Sequence, residues 1–213
     1  MPAASFQIIH AIELVGGAVF AISGALAAGR RSLDLVGVVV IALVTAAGGG
    51  TLRDLLLDRT VFWIADPSYI YASLAAALLT VLYARFRHPP DRLILYADAL
   101  GLALFSIGGA QIAQSLGHGG VVVIIMGAAT GVAGGLLRDV LCAEIPLILR
   151  RGRMYASASV AGVAAYLLLE WVVDRTLAAL LGMAVIAALR LAAIAWDLTV
   201  PVFSLPRRED EQS

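Results

Sequence analysis

Seven long apolar segments divide this sequence, and they constrain its fold more than any other feature. Each is close to the length of about 20 residues that a helix needs to cross the hydrocarbon of a membrane. They occupy residues 8–28, 33–57, 66–83, 93–116, 121–149, 155–173 and 176–196. Lipid cannot hydrogen-bond to exposed backbone, so segments that span it must be helical or form closed barrels, and these lengths favour helices. The sequence therefore predicts an all-α membrane protein with seven transmembrane helices.

Composition agrees with this prediction and argues against several function classes. Of the 213 residues, 61% are hydrophobic and 14% are charged, whereas soluble domains average about half and about a quarter. The formal net charge is zero, which gives no basis for nucleic-acid binding by a broadly basic surface. The single cysteine, Cys142, supports neither a disulfide framework nor a thiolate metal site, and we expect no cofactor or bound metal. The sequence has no H-E-x-x-H, nucleophile elbow or phosphate loop, so we do not expect an enzyme.

A glycine-containing stretch occurs twice, at an offset of 85 residues. Residues 45–54 read TAAGGGTLRD, and residues 130–139 read TGVAGGLLRD. At the same offset Glu13 matches Asp98, and Phe20 matches Phe105. These ungapped matches indicate an internal repeat of three spans, followed by one extra span. We predict a first three-helix repeat over residues 1–88, a second over 93–173, a seventh helix over 174–198 and a cytoplasmic tail over 199–213.

The distribution of arginine predicts how the chain is inserted. All 15 basic residues are arginine. One side of the predicted membrane carries Arg30, Arg31, Arg85, Arg87, Arg92, Arg150, Arg151, Arg153, Arg207 and Arg208. The opposite loops carry only Arg59 and Arg175, so the positive-inside rule predicts an inner-membrane protein with its N-terminus outside and its C-terminus cytoplasmic. Because each repeat has an odd number of spans, the second must be inverted relative to the first, as in many solute transporters.

The glycine runs predict either a break in the helix or close packing. A glycine inside a helix costs roughly 1 kcal/mol relative to alanine, so we expect the second and fifth spans to be broken or kinked. Carbonyls released by a break would be natural cation ligands. The residues predicted to line this ion path are Thr45, Gly48, Gly49, Gly50, Thr130, Gly134 and Gly135. The alternative is that small residues at four-residue spacing let two helices pack closely.

Each copy of the glycine-containing stretch ends in an adjacent arginine and aspartate, Arg53 with Asp54 and Arg138 with Asp139. An arginine inside a membrane costs at least about 2.5 kcal/mol, so each requires a partner. Adjacent helical side chains do not face each other, so we expect Arg53 to pair with Asp139 and Arg138 with Asp54. Two roles stay open for these residues: charge pairs that act in the pore or its gate, and a structural clasp between the repeats.

Four further residues carry predictions about helix ends and interfaces. Glu13 and Asp98 lie in the first turns of matching spans, where they are either structural, favoured by the helix dipole, or charges of a pore vestibule. Thr51 has the position of an N-cap that would begin a second half-helix after the break. Arg190 lies near the cytoplasmic end of the seventh span, and we expect its side chain to extend to the interface.

The motif residues resemble those of the prokaryotic TRIC (trimeric intracellular cation) channel family. The resemblance rests on GGGTLRDLL at residues 48–56, on VFW at 61–63, on Asp66, Pro67 and Tyr69, and on the second copy at residues 134–139. It implies a homotrimer of seven-helix protomers, each with its own pore for monovalent cations and a preference for potassium. In animal relatives, lysine-bearing basic sites bind a phosphoinositide, and this chain has no lysine. We therefore expect membrane lipid as a partner, but not through a lysine-bearing phosphoinositide site.

These observations support three functions in decreasing order. The first is a passive channel for potassium or sodium ions, lined at the glycines. The second is a secondary transporter of a small zwitterion such as glycine, held by an Arg-Asp pair beside a half-helix. The third is a scaffold membrane protein in which the glycines serve packing alone.

Overall fold

The computed structural model describes residues 3–150 and 154–199, with side chains from His10 onward. In these residues the chain forms eight α-helices: α1 Ala3–Arg30, α2 Leu35–Leu56, α3 Phe62–Ala65, α4 Ser68–Phe86, α5 Leu93–Ser115, α6 Gly120–Leu141, α7 Ala156–Leu169 and α8 Arg175–Trp196. Six of them are long and apolar enough to cross a membrane, and α7 is a shorter apolar helix. Helix α3 has only four residues and is too short to span a membrane. The other seven helices are apolar, so the prediction of an all-α membrane protein with seven apolar helices is confirmed.

Local sequence explains where several helices begin. Asp34 precedes α2 in an extended conformation, and its carboxylate accepts a hydrogen bond from the backbone N–H of Gly37 at 2.7 Å. Asp174 caps α8 in the same way and accepts from the backbone N–H groups of Thr176 and Leu177. Each carboxylate satisfies amide groups that the first turn leaves unpaired. These two ends follow from short sequence signals alone.

The predicted break at the glycines is absent. Helix α2 runs without interruption through Gly48, Gly49 and Gly50, and α6 runs through Gly134. The reason is packing: a Cβ built on Gly49 would overlap the carbonyl oxygen of Thr130 on α6, and one built on Gly134 would lie 2.5 Å from the carbonyl oxygen of Thr45 on α2. The packing alternative therefore describes these positions, and the helical carbonyls keep their intrahelical partners.

The centre of the molecule is built from reciprocal contacts between the two sequence repeats. Helix α1 packs on α5, and α2 packs on α6. The rings of Phe20 and Phe105 stack with centroids 5.3 Å apart. Phe20 fits against Gly101, and Phe105 fits against Gly16, which are the same two positions exchanged between the copies. Exchanging each residue for its equivalent in the other repeat turns one of these contacts into the other. The two halves are therefore related by an approximate two-fold axis.

Helix α8 lies outside this relation. It packs against α5 and α7, and no equivalent helix follows α4 in the first half of the chain. The predicted domain boundaries stay predictions, although α4 ends at Phe86 and α5 begins at Leu93, on either side of the predicted junction. Most of the predicted cytoplasmic tail, residues 200–213, lies outside the described residues.

Candidate functional site

The crossing of α2 and α6 brings together the residues predicted to line an ion path. Thr45 and Thr130 are both buried, and each hydroxyl donates to the carbonyl oxygen four residues earlier, at 2.6 Å. Such bonds to the residue's own helix are common for threonine. Gly49 and Gly134 each approach a carbonyl oxygen of the other helix so closely that a Cβ atom would not fit, so the backbones of α2 and α6 are in contact at this level.

The remaining glycines of the two motifs face different neighbours. Gly48 lies against the side chain of Leu137, and Gly50 lies against the ring of Phe62. Gly135 lies against the hydroxyl of Tyr155 and the carboxylate of Asp98. A Cβ atom added at any of these three glycines would lie 2.5 Å from the nearest neighbouring atom, so that neighbour would have to move. The glycine runs therefore combine close helix contact at one position with space for a large neighbouring side chain at the next.

The Arg53 cluster, formed by Arg53, Glu13 and Asp54, lies at one side of the crossing. Arg53 donates from Nη1 to Glu13 Oε1 at 2.5 Å and from Nε to Asp54 Oδ1 at 2.9 Å. Its side chain and that of Asp54 have no exposed surface, and Glu13 is 5% exposed. Charge-assisted hydrogen bonds of this kind compensate for taking both signs of charge out of water.

Aromatic residues of the following segment enclose the Arg53 cluster. The ring of Phe62 lies 5.6 Å from the Arg53 guanidinium carbon, and its backbone N–H donates to Asp54 Oδ2 at 2.9 Å. The hydroxyl of Tyr69 donates to Glu13 Oε2 at 3.5 Å and lies 2.8 Å from Nδ1 of His10. Neither aromatic contact was predicted, although Phe62 and Tyr69 both belong to the sequence motif that carries the family resemblance.

The Arg138 cluster, formed by Arg138, Asp98 and Asp139, is the counterpart in the second repeat. Arg138 donates from Nη1 to Asp98 Oδ1 at 2.6 Å, and it pairs with Asp139 at 2.7 Å. A further bond goes from Nη1 to the hydroxyl of Ser23, at 2.6 Å, which belongs to the first repeat. The hydroxyl of Tyr155 donates to Asp98 Oδ1 at 3.2 Å. The Ser23 contact was missed, because a serine in an apolar span has no sequence signal of its own.

The two clusters correct the predicted pairing. Each arginine pairs with the acid next to it in sequence and with an acid of a neighbouring helix in its own repeat, and the cross-pairs of Arg53 with Asp139 and of Arg138 with Asp54 do not form. Thr45 meets Gly134 while Thr130 meets Gly49, so α2 and α6 are antiparallel. At 1.5 Å per residue this arrangement separates the two arginines by about 18 Å along the helices. Inversion of the repeat thus carries equivalent residues to opposite ends.

Two further predictions about this region were wrong. Thr51 does not cap a half-helix, because its hydroxyl donates to the carbonyl oxygen of Ala47 and accepts from Trp63 Nε1. Arg190 does not extend to the interface: its side chain is 1% exposed, its guanidinium lies 4.7 Å from the Tyr155 ring, and Nη2 is 3.9 Å from Asp98 Oδ2. The first prediction assumed a helix break, but α2 is continuous through Thr51. The second assumed an accessible interface near Arg190, which is buried instead.

The loops after α2 and α6 close on the two clusters with the same backbone geometry. Asp54 accepts from the N–H of Phe62, and Asp139 accepts from the N–H of Leu147, eight residues on in both cases. Asp58 and Ala143, also 85 positions apart, share left-handed φ values of 50° and 53°. The second aspartate of each motif therefore fastens the segment that follows its helix.

Charged residues line a cavity of about 190 Å³ beside the Arg138 cluster. Arginines from three segments meet there, and the charged lining residues are Arg30, Arg31, Asp91, Arg138, Asp139, Glu144 and Arg150. Arg31 and Arg150 both pair with Glu144. Three of the ten arginines predicted to share one side of the membrane, Arg30, Arg31 and Arg150, meet at this end of the helices. The carboxylate of Glu13, at the other end, is bonded to Arg53 and to Tyr69.

The chain is similar to known membrane proteins over nearly its whole length. A family model described as "Glycine transporter" matches it twice, over residues 10–85 and 95–171. The UPF0126 inner membrane protein YadS of Escherichia coli is 42% identical over 203 residues, which cover 93% of this chain and 98% of the relative.

Two solved structures share the fold. A TRIC trimeric intracellular cation channel orthologue from Rhodobacter sphaeroides is 40% identical, with a TM-score of 0.85, over 90% of this chain and all of that one. A second TRIC cation channel, from work on the structural basis of conductance, is 33% identical, with a TM-score of 0.82, over 93% of this chain and 98% of that one.

Proposed function

Because this chain belongs to the prokaryotic TRIC family, as its motifs predicted, we propose that it is a passive channel for monovalent cations. The channel prefers potassium to sodium, and each protomer has its own pore. The observation that carries the proposal is the likeness of this chain, over 90% of its length, to a solved trimeric intracellular cation channel. The two buried charge clusters on either side of a tight helix crossing support it, because a gated path needs polar groups at both ends of a constriction.

The proposed ion path runs from the Arg53 cluster, through the crossing of α2 and α6, to the Arg138 cluster. Thr45 and Thr130 lie at the narrowest level, with Gly48, Gly49 and Gly50 on one helix and Gly134 and Gly135 on the other. Contact at this level makes the described conformation a closed one, and opening requires α2 and α6 to separate. Carbonyls released by a helix break have no part in this path, since both helices are continuous.

The charges at each end of the path are compatible with cations only in combination. A lone arginine would repel a cation, but each guanidinium here is bonded to two carboxylates. The formal charge of each three-residue cluster is therefore −1 when all groups are ionised. A further arginine, Arg59 at one end and Arg190 at the other, lies within 4 Å of one of these carboxylates, so each end is close to neutral and does not repel a cation as a lone arginine would.

The proposed assembly is a homotrimer in the inner membrane, with the N-terminus outside and the C-terminus cytoplasmic. The trimer is supported by the assembly of the similar solved channel. The location is supported by the naming of the bacterial relative as an inner membrane protein. The orientation is supported by Arg30, Arg31 and Arg150, which gather at one end of the helices, whereas Arg59 follows α2 at its opposite end.

A transporter of a small zwitterion is the second candidate, favoured by the description of the matching family model. Such a substrate needs a guanidinium that is free to donate hydrogen bonds to the substrate's carboxylate. Arg53 and Arg138 are each engaged by two protein carboxylates and are buried. Binding would have to displace one of these ion pairs, so the geometry supports this function less well than the channel.

Reconstitution into a planar bilayer distinguishes the candidates. With purified protein in asymmetric KCl, we expect discrete current steps and a reversal potential on the cation-selective side, which shifts when NaCl replaces KCl on one face. Saturable uptake of labelled glycine into liposomes, without current, would instead identify a transporter. A folded protein that is silent in both assays would be a scaffold.

A further inference from the structure

The two charge clusters have the same formal charge but different surroundings. Each contains one guanidinium and two carboxylates, and all six side chains are at most 9% exposed. An excess negative charge in a buried site is costly unless a further cation lies close to it. Each cluster therefore requires one more positive group, and the structure supplies it from different places in the two halves.

At the Arg53 cluster the extra cation comes from the adjoining loop. Arg59 Nη1 lies 3.4 Å from Asp54 Oδ1, and its side chain is 37% exposed. The position equivalent to Arg59 in the second repeat is Glu144, which has the opposite charge and pairs with Arg31 and Arg150. The repeat therefore does not provide the Arg138 cluster with a cation at the matching position.

At the Arg138 cluster the nearby cation is Arg190, which comes from α8, outside both repeats. Its Nη2 lies 3.9 Å from Asp98 Oδ2, and the side chain is 1% exposed. The guanidinium is held over the ring of Tyr155, at 4.7 Å, and Nη1 donates to the carbonyl oxygen of Met154 at 3.0 Å. These contacts fix the positive charge beside the carboxylate that Arg138 also binds.

We infer that Arg190 is a positioning residue that neutralises the Arg138 cluster, and that α8 supplies the charge that the inverted repeat lacks. The buried Arg190 charge lies beside the Asp98 carboxylate that also bonds to Arg138. By contrast, a partly exposed arginine balances the Arg53 cluster. The inference concerning ion flux rests on the proposed channel function, whereas the inference concerning charge balance stands on the contacts alone.

The charge balance is tested by a double-mutant cycle in purified protein. Arg190→Gln should lower the melting temperature by roughly 10 °C, because it leaves an unbalanced buried carboxylate. Arg190→Lys should retain most of the stability, since it keeps the charge. Arg190→Gln with Asp98→Asn restores neutrality and should be more stable than Arg190→Gln alone, even though it removes a second native group. Losses that simply add in the double variant, or equal losses for glutamine and lysine, would overturn the inference.

The control is Arg59→Gln, which removes the balancing cation of the Arg53 cluster. Because Arg59 is partly exposed, water can replace it, and the melting temperature should fall by no more than about 3 °C. A fall as large as that of Arg190→Gln would contradict the difference between the two ends.

Ion flux supplies the independent readout. A variant that keeps its fold but lacks the Arg190 charge should carry about two-fold more cation current entering from the Arg138 end, the scale for one unit charge roughly 10 Å away in water. Unchanged current and selectivity in a conducting Arg190→Gln channel would overturn the role of this charge in flux. If the native protein conducts no current while the stability cycle shows coupling, the channel proposal fails and the charge-balance inference stands.

Discussion

Each buried arginine is bound by two acids, and the side chains around the two sites differ in a compensating way. Glu13 binds Arg53, whereas the shorter Asp98 binds Arg138 at the equivalent position. The residue beside each acid differs as well. Gly108, which has no side chain, lies near Glu13, whereas its repeat equivalent Ser23 has a hydroxyl that accepts a hydrogen bond from Arg138. The loss of a methylene on one helix is thus accompanied by the gain of a hydroxymethyl group on another.

This compensation predicts the behaviour of a residue exchange. Asp98→Glu alone should destabilise the protein by about 1–3 kcal/mol, because Asp98 and Ser23 are both fully buried and both bond to Arg138, so a longer side chain must displace its neighbours. Combining it with Ser23→Gly should recover at least half of that loss. Thermal unfolding in detergent measures both variants.

The matched control is the converse exchange at the other site, Glu13→Asp with Gly108→Ser. A Cβ on Gly108 meets only ordinary contacts, the nearest at 3.6 Å, so the serine fits without displacement. If the second substitution restores no stability in either double variant, the two positions act independently and do not compensate for each other.

At the scale of elements, the close approach of α2 and α6 decides the conformation of the centre. Their small residues allow backbone contact, so van der Waals packing replaces the hydrophobic driving force that is missing in lipid. Asp54 in the last turn of α2 and Asp139 in the last turn of α6 hold the next segment in place, because they accept from the backbone N–H groups of Phe62 and Leu147. The crossing is therefore bounded at both ends by segments that are fastened to the same two helices.

Substitution at the crossing should be far more costly than a glycine change elsewhere. Gly49→Ala places a methyl group on the Thr130 carbonyl oxygen, and we expect a loss of roughly 1–3 kcal/mol or a permanent separation of the helices. Gly29→Ala, also in a helix but with no atom within 4 Å of the added Cβ, is the control and should be neutral or slightly stabilising.

Melting temperature and bilayer current measured on the same preparations separate these outcomes. A stable Gly49→Ala protein with increased open probability would indicate that contact at the crossing closes the path. If Gly49→Ala melts and conducts like Gly29→Ala, contact at the crossing does not constrain the two helices.

At the scale of the whole molecule, inversion of the repeat places equivalent residues at opposite faces. The Arg138 end collects arginines from three segments around one cavity, whereas Arg59 follows the helix that ends at the Arg53 cluster. Helix α8 adds to one half only, so the two faces of the molecule differ in charge and in packing. An asymmetric charge distribution of this kind is what orients a membrane protein during insertion.

Reporter fusions test the resulting orientation. Alkaline phosphatase fused after Ser213 should be inactive and a fluorescent protein at the same place should be bright, because both would be cytoplasmic. Phosphatase fused after His118, in the turn between α5 and α6, should be active outside. The reverse pattern at both positions would contradict the orientation, and with it the assignment of the arginine-rich end to the cytoplasm.

The sequence by itself determined the membrane-spanning helices, the repeat, and the family, because apolar length and fixed residue spacing are local or periodic properties. The tertiary structure decided which groups meet. Whether Gly49 breaks a helix or contacts Thr130 depends on how near the neighbouring helix lies. The partner of Arg53 depends on the direction in which the repeats cross and on a flexible side chain that can turn toward Asp54. The burial of Arg190 follows from the position of α8 against α5 and α7, which no single segment encodes.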